Sequence, residues 1–312
     1  MDSIRWTTSD ELSRYFAKYG DMLGFIAHIH GLELAAPSFG AAKVLFHSWR
    51  PGFIDASEAE VSALEAGSPS TELLERMRDL GWLDEAPPDK VADGLVQRTI
   101  DRFPAIQNPV ELRAFVGLVA RMRPRVVVEI GTAAGGLLYC VSQLTAKDGL
   151  IIAIDAPDSP FDACKPNDDD ALFARFGPAT QTLHMIRDRS GHHGTLVDVE
   201  RLLDGRLVDL LIIDGDHSYA GARSDYELYR RFVGPEGVIA FHDICMRPQT
   251  WGRGHDVGLL WDEVAAGVES RESREIIDPE GSRTKPDFST PVNFDMPALG
   301  FGLLGPAASI CA

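Results

Sequence analysis

Apolar positions along this chain follow two periods, and the place where the period changes divides it. Thr8 and Glu11 stand at capping-box spacing ahead of a helical stripe, which predicts a helix closing at Gly20 and a mixed, glycine-interrupted segment to about residue 40. Residues 42–48 and 53–56 read as short strands around Arg50-Pro51-Gly52. Two short helices start near Ser57 and Ser70, the second ending at Gly81. The proline-bearing acidic run Asp84-Glu85-Ala86-Pro87-Pro88-Asp89-Lys90 reads as a linker. An accessory α+β domain over 1–88 and a larger domain over 89–312 are therefore expected.

In the second part helix and strand patterns alternate. Asn108, Pro109 and Glu111 open a helix with the stripe Leu112, Phe115, Val116 and Val119, which Pro124 ends. Runs rich in Val, Ile and Leu follow at 125–130, 150–154, 182–186, 208–213 and 238–241, the composition of strands covered on both faces. Segments of helical length separate them at 135–146, 168–176, 192–203 and 218–233, and a helix near 257–266 with strands near 275–277 and 298–304 completes the set. The expected fold class is α/β: a doubly wound, mostly parallel, seven-stranded Rossmann-like sheet.

Composition narrows the function. Thirty Lys and Arg against 47 Asp and Glu give a net charge of −17, which repels phosphate backbones and anionic lipid. Small-molecule chemistry is favoured over nucleic acid or membrane. The N-terminal residues lack an apolar signal-like run, and Cys140, Cys164, Cys245 and Cys311 form no CxxC pair, which fits a reduced cytoplasm. His192-His193 between glycines reads as a flexible loop, and His28 and His30 have no neighbouring ligand partners.

The chemistry gathers at the carboxyl ends of the strands, where an open parallel sheet binds its ligands. Val128-Glu129-Ile130-Gly131-Thr132-Ala133-Ala134-Gly135-Gly136 puts a glycine turn between strand and helix. Ala133 replaces the middle glycine of a dinucleotide fingerprint, and Glu129 disfavours a pyrophosphate while favouring an ammonium group. Asp155, after the next strand, stands where a carboxylate accepts two ribose hydroxyls.

At this point the chain resembles the class I S-adenosylmethionine-dependent methyltransferases, with their E/D-x-G-x-x-x-G turn and second-strand acid. The run Leu211-Ile212-Ile213-Asp214-Gly215-Asp216-His217-Ser218-Tyr219, with Gly237-Val238-Ile239-Ala240-Phe241-His242-Asp243-Ile244, is similar to a small-molecule branch. That branch includes cephalosporin-hydroxylase-like and macrolide-sugar O-methyltransferases, and the resemblance spans about 105–305. It implies S-adenosyl-L-methionine as cofactor, with Glu129, Gly131, Thr132 and Gly135 toward its methionine end, Asp155 at the ribose, Asp188 near the adenine, and Asp214 also among the cofactor-binding residues. Arg187 and Arg189 beside Asp188 depart from the small residue expected there.

Asp214 and Asp216 follow one strand, His242 and Asp243 the next, so both loops can converge beside the methyl donor. By resemblance to metal-dependent O-methyltransferases, Asp214, His242 and Asp243 would hold Mg²⁺ or Mn²⁺, although an imidazole suits Mn²⁺ better and also serves as a base in a metal-free site. One carboxylate of the Asp-Gly-Asp run is expected to serve the turn. His217, three residues past Asp214, is the candidate general base, since an ordinary imidazole takes a hydroxyl proton near neutrality. Asp214 and His242 complete the expected catalytic group.

The leading expectation is an O-methyltransferase for a hydroxyl of a small, secondary-metabolite-like acceptor, working as a homo-oligomer such as a dimer. An N-methyltransferase without metal and a non-catalytic cofactor-binding regulator are the alternatives, with a nicotinamide oxidoreductase further off. Residues 42–83 resemble, by patterning alone, hairpin and winged-helix-like peptide-binding modules; a cap over the pocket that builds a dimer interface is the other reading.

Overall fold

Ten strands and eight longer helices are set out below from a computed structural model describing residues 4–29, 39–47, 50–83, 93–96, 99, 107–157, 170–267, 271–284 and 297–310. The expected linker 84–90, His30, Cys164 and Cys311 lie outside these residues.

The N-terminal part opens with a strand that the pattern did not announce. β1 (Ile4–Thr8) pairs antiparallel with β2 (Lys43–His47), which pairs with β3 (Arg50–Ala56). The capping box is present, with Thr8 N–H donating to Glu11 and Glu11 N–H to Thr8 Oγ1, both at 3.2 Å. The helix it starts, α1 (Ser9–Ile29), does not close at Gly20. A glycine inside a helix costs only about 1 kcal/mol, and the part before it buries Leu12, Tyr15, Phe16 and Tyr19. α2 (Glu58–Glu65) and α3 (Thr71–Asp79) start at the expected caps Ser57 and Ser70.

α4 (Pro109–Met122) begins at Asn108, whose side chain accepts from Val110 and Glu111 N–H. Then follow β4 (Val126–Ile130), α5 (Gly136–Leu144), β5 (Leu150–Ile154), β6 (Thr182–Ile186), α6 (His193–Leu203), β7 (Val208–Ile213), α7 (Tyr219–Tyr229), β8 (Val233–His242), α8 (Val257–Ala266), β9 (Glu272–Ile276) and β10 (Phe301–Gly305). The seven strands run in the order β6-β5-β4-β7-β8-β10-β9, with β10 antiparallel to both neighbours. Order reverses between β4 and β7, so the crevice for a ligand lies beyond those ends.

Register decides which side chains share a face. Ala153, Glu129, Ile212, Ala240 and Leu303 lie opposite one another across five strands. Two residues on, with the period-2 alternation of a strand, come Asp155, Gly131, Asp214, His242 and Phe301. This is the face that α4 and α5 cover, where Phe115 stacks on Phe301 at 4.3 Å. The N-terminal helix joins the same core through Tyr15 and Tyr19, while the opposite face packs under Val199, Tyr229 and Trp261. Among the described residues no helix is long and apolar enough to cross a membrane.

Candidate active site

The glycine turn is held by its neighbours. Gly131 has φ 87°, and a Cβ there would stand 2.0 Å from the Asp214 carbonyl oxygen, so the close approach of the β7 end demands glycine. Gly135, with φ 83°, would meet the Phe173 ring at 2.6 Å. Thr132 and Ala133 N–H donate to Asp155 Oδ1 at 3.0 and 3.2 Å, and the Tyr15 hydroxyl donates to the Ala134 carbonyl.

Asp155 is buried, and its second oxygen lies 3.2 Å from Arg187 Nη1. Arg187 also pairs with Asp170 at 2.8 Å over the Phe173 ring. The cation expected beside Asp188 therefore turns inward to the ribose candidate. Asp188 itself accepts from Arg189 N–H at 2.8 Å and Thr195 Oγ1 at 3.1 Å, and lies 2.7 Å from His192 Nδ1, binding the start of α6. His192 and His193 thus open a helix and are not a free loop.

Glu129 is buried on the sheet face. Thr132 Oγ1 donates to its Oε2 at 3.3 Å, and its Oε1 has no partner among the described residues. Burial, reinforced by the charges of Asp214 and Asp155, pushes this carboxyl well above its usual range.

Across β7 and β8 four groups meet. His242 Nδ1 donates to Asp214 Oδ1 at 3.0 Å and stands 3.2 Å from Asp243 Oδ1. Burial alone would depress this imidazole, but the Asp214 and Asp243 carboxylates hold it well above its usual value. Its Nε2 has no partner among the described residues. Asp243, with φ 62°, keeps its other oxygen 3.0 Å from His217 Nε2. Burial raises the Asp243 carboxyl, and the charges of His242 and His217 more than offset this, leaving it below its usual value. His217 is placed by its carbonyl, which accepts from Asp256 and Val257 N–H at 3.0 Å.

Asp214, His217 and Asp243 each offer a ligand atom within 4.8 Å of the others. The sequence trio had His242 in this place of His217. The difference arises because His242 ends a strand and turns Nδ1 between two carboxylates, while His217 reaches over from the next loop. Asp216 takes the turn role, its carboxylate accepting from Ser218 N–H at 2.9 Å.

Two polar residues of α4 and its approach were not foreseen. Gln107 Nε2 donates to Asp214 Oδ2 at 3.0 Å, and buried Glu111 lies close enough to His242 for their charges to interact. Their only trace in the sequence is polarity, four residues apart, around a helix start.

Residues 128–244 match the family described as a methyltransferase domain. The protein y4gI of Sinorhizobium fredii (strain NBRC 101917 / NGR234) is 30% identical over 160 residues, 48% of this chain; the chain spans 16% of that curated relative. Among solved structures, the Streptomyces achromogenes O-methyltransferase TomG, involved in tomaymycin synthesis and bound to SAM, is 16% identical. The alignment covers 72% of this chain and 91% of TomG, with a TM-score of 0.44. A Bacillus cereus O-methyltransferase in complex with SAH is 13% identical, over 76% of this chain and 97% of its own, also at 0.44. The glycine turn and the acids that follow β5 and β7 fall within residues 128–244, the segment that matches the methyltransferase domain.

Proposed function

We propose that this chain moves the methyl group of S-adenosylmethionine onto a hydroxyl of a small-molecule acceptor. The observation that carries the reading is the meeting of Asp214, His217 and Asp243 beside the buried carboxylates of Glu129 and Asp155. Bound there, the cofactor supplies an electrophilic methyl on a sulfonium. Glu129, Gly131, Thr132, Gly135 and Asp214 would hold its methionine end, Asp155 its ribose and Asp188 its adenine side. The fit is electrostatic: a row of buried acids, with a partnerless Glu129 oxygen, favours the ammonium and sulfonium of this ligand over a pyrophosphate.

His217 then takes the acceptor's proton, while Asp243 orients the ring and stabilises the charge it gains. His242 holds Asp214 and Asp243 in place. The same Asp214, His217 and Asp243 would alternatively hold a divalent cation, Mn²⁺ in preference to Mg²⁺ given the imidazole, supplying Lewis acidity toward the hydroxyl. A cytoplasmic setting and a homo-oligomer go with this reading. The free, buried Cys140 and Cys245 are compatible with a reducing compartment.

Calorimetry with S-adenosylhomocysteine and labelled methyl transfer to a panel of hydroxylated metabolites test it. His217→Gln should keep cofactor affinity and lower kcat about 10²–10⁴-fold. Exhaustive chelation should leave turnover intact if His217 is the base, and abolish it, with recovery on Mn²⁺, if the trio holds a cation. A folded protein that binds no S-adenosylhomocysteine and transfers no methyl group refutes the proposal.

A further inference from the structure

Gln107 is 7% exposed and lies just ahead of α4, above the sheet face that carries Glu129 and Asp214. Its amide can face Asp214 in one way only. A carboxylate accepts and does not donate, so the nitrogen must point at Asp214 Oδ2, 3.0 Å away. That leaves Gln107 Oε1 buried with no donor among the described residues. Glu129 Oε1, on the same face, is likewise buried without a hydrogen-bond partner among the described residues. The two side chains flank Asp214: one is bonded to it, and the other follows from register, Glu129 lying opposite Ile212 and Asp214 standing two residues on.

A buried acceptor without a donor is costly, and Gln107 Oε1, close to the acids Asp214 and Glu129, favours a ligand group that both donates and carries positive charge. An ammonium group meets both requirements, with several N–H donors and a positive charge in a small volume, whereas a phosphate would be repelled by the acids here. We infer that Gln107 is a cofactor-binding residue whose Oε1, together with Glu129, accepts from the ammonium of the methionine moiety. This rests on the S-adenosylmethionine reading above and adds a contact outside residues 128–244, contributed by the approach to α4. Gln107 has two tasks: its nitrogen steadies Asp214, and its oxygen reads the ligand's charge.

The test compares two ligands on the full-length chain. S-Adenosylhomocysteine carries the ammonium, whereas 5′-methylthioadenosine keeps the adenosine and thioether but lacks it. In Gln107→Met, close in shape but without the amide, S-adenosylhomocysteine should bind about 10- to 100-fold more weakly, with methylthioadenosine unchanged. Gln107→Glu keeps an oxygen acceptor and loses the donor to Asp214, so it should retain S-adenosylhomocysteine binding. Equal weakening of both ligands in the Met variant, no weakening of either, or loss of S-adenosylhomocysteine in the Glu variant with methylthioadenosine kept would each overturn the inference. A wild-type chain that binds neither ligand overturns the cofactor reading and this one together, whereas the preceding outcomes leave the cofactor reading standing.

Discussion

Asp225 is a carboxylate whose surroundings work against its charge. It lies on α7, 3% exposed, accepts from Ser190 Oγ at 2.6 Å, and feels the charge of Asp216. Burial is the larger cause, and the carboxyl is pushed up to about 6. The folded chain thus keeps this proton at pH values where the unfolded chain has released it. Stability is fully present below the ordinary carboxyl value and falls as pH rises to about 6, by on the order of 2–3 kcal/mol. Asp225→Asn should remove that loss. In urea unfolding the variant should gain on the wild type between pH 4 and 7; a difference that does not change with pH would mean the carboxyl stays ionised at both ends. Residues of this kind are invisible in sequence, because charge in a helix reads as a solvated face until packing covers it. Gln107 is hidden for the same reason, whereas Glu129, Asp155, Asp214 and Asp243 were legible because each lies at or just past the carboxyl end of a buried strand.

The helix α4 shows how an element is fixed by one polar group. Its Glu111 is fully buried and accepts from the backbone N–H of Asp278, Leu299 and Gly300 at 2.9, 3.2 and 2.8 Å. The carboxylate therefore ties the helix to the chain leaving β9 and entering β10, at the height of His242. Glu111→Ala would strand three amides and open a cavity, costing about 2–5 kcal/mol. Equilibrium unfolding should show it, and a change below about 0.5 kcal/mol would mean that water replaces the carboxylate. Element boundaries were readable where a local signal exists, as at Ser57, Ser70, Asn108 and Pro124. They were not at β1, whose five residues gain stability only from the cross-strand partner 35 or more residues away.

In the whole molecule, the N-terminal sheet and α1 are bound onto the seven-stranded sheet. Arg175 pairs with Glu11 at 2.8 Å and lies over the Trp6 ring at 4.7 Å, and Tyr15 bonds the carbonyl of the glycine turn. Both charged side chains are largely covered, so a double-mutant cycle of Glu11→Gln and Arg175→Met should give a coupling of about 1–2 kcal/mol. A coupling near zero would leave the apolar contacts of Leu12, Phe16 and Tyr19 as the whole attachment. The sequence by itself determined the order of elements, the parallel sheet and the acids at its carboxyl end, because apolar period and strand-end position are local properties. Tertiary structure alone decided that Arg187 turns to Asp155, that His217 reaches Asp243 from the next loop while His242 lies between Asp214 and Asp243, and that Gln107 and Glu111 descend on the site. Those outcomes depend on register between strands and on which helix covers which face, and the energies that set them exist only when residues far apart in the chain are brought together and water is excluded from between them.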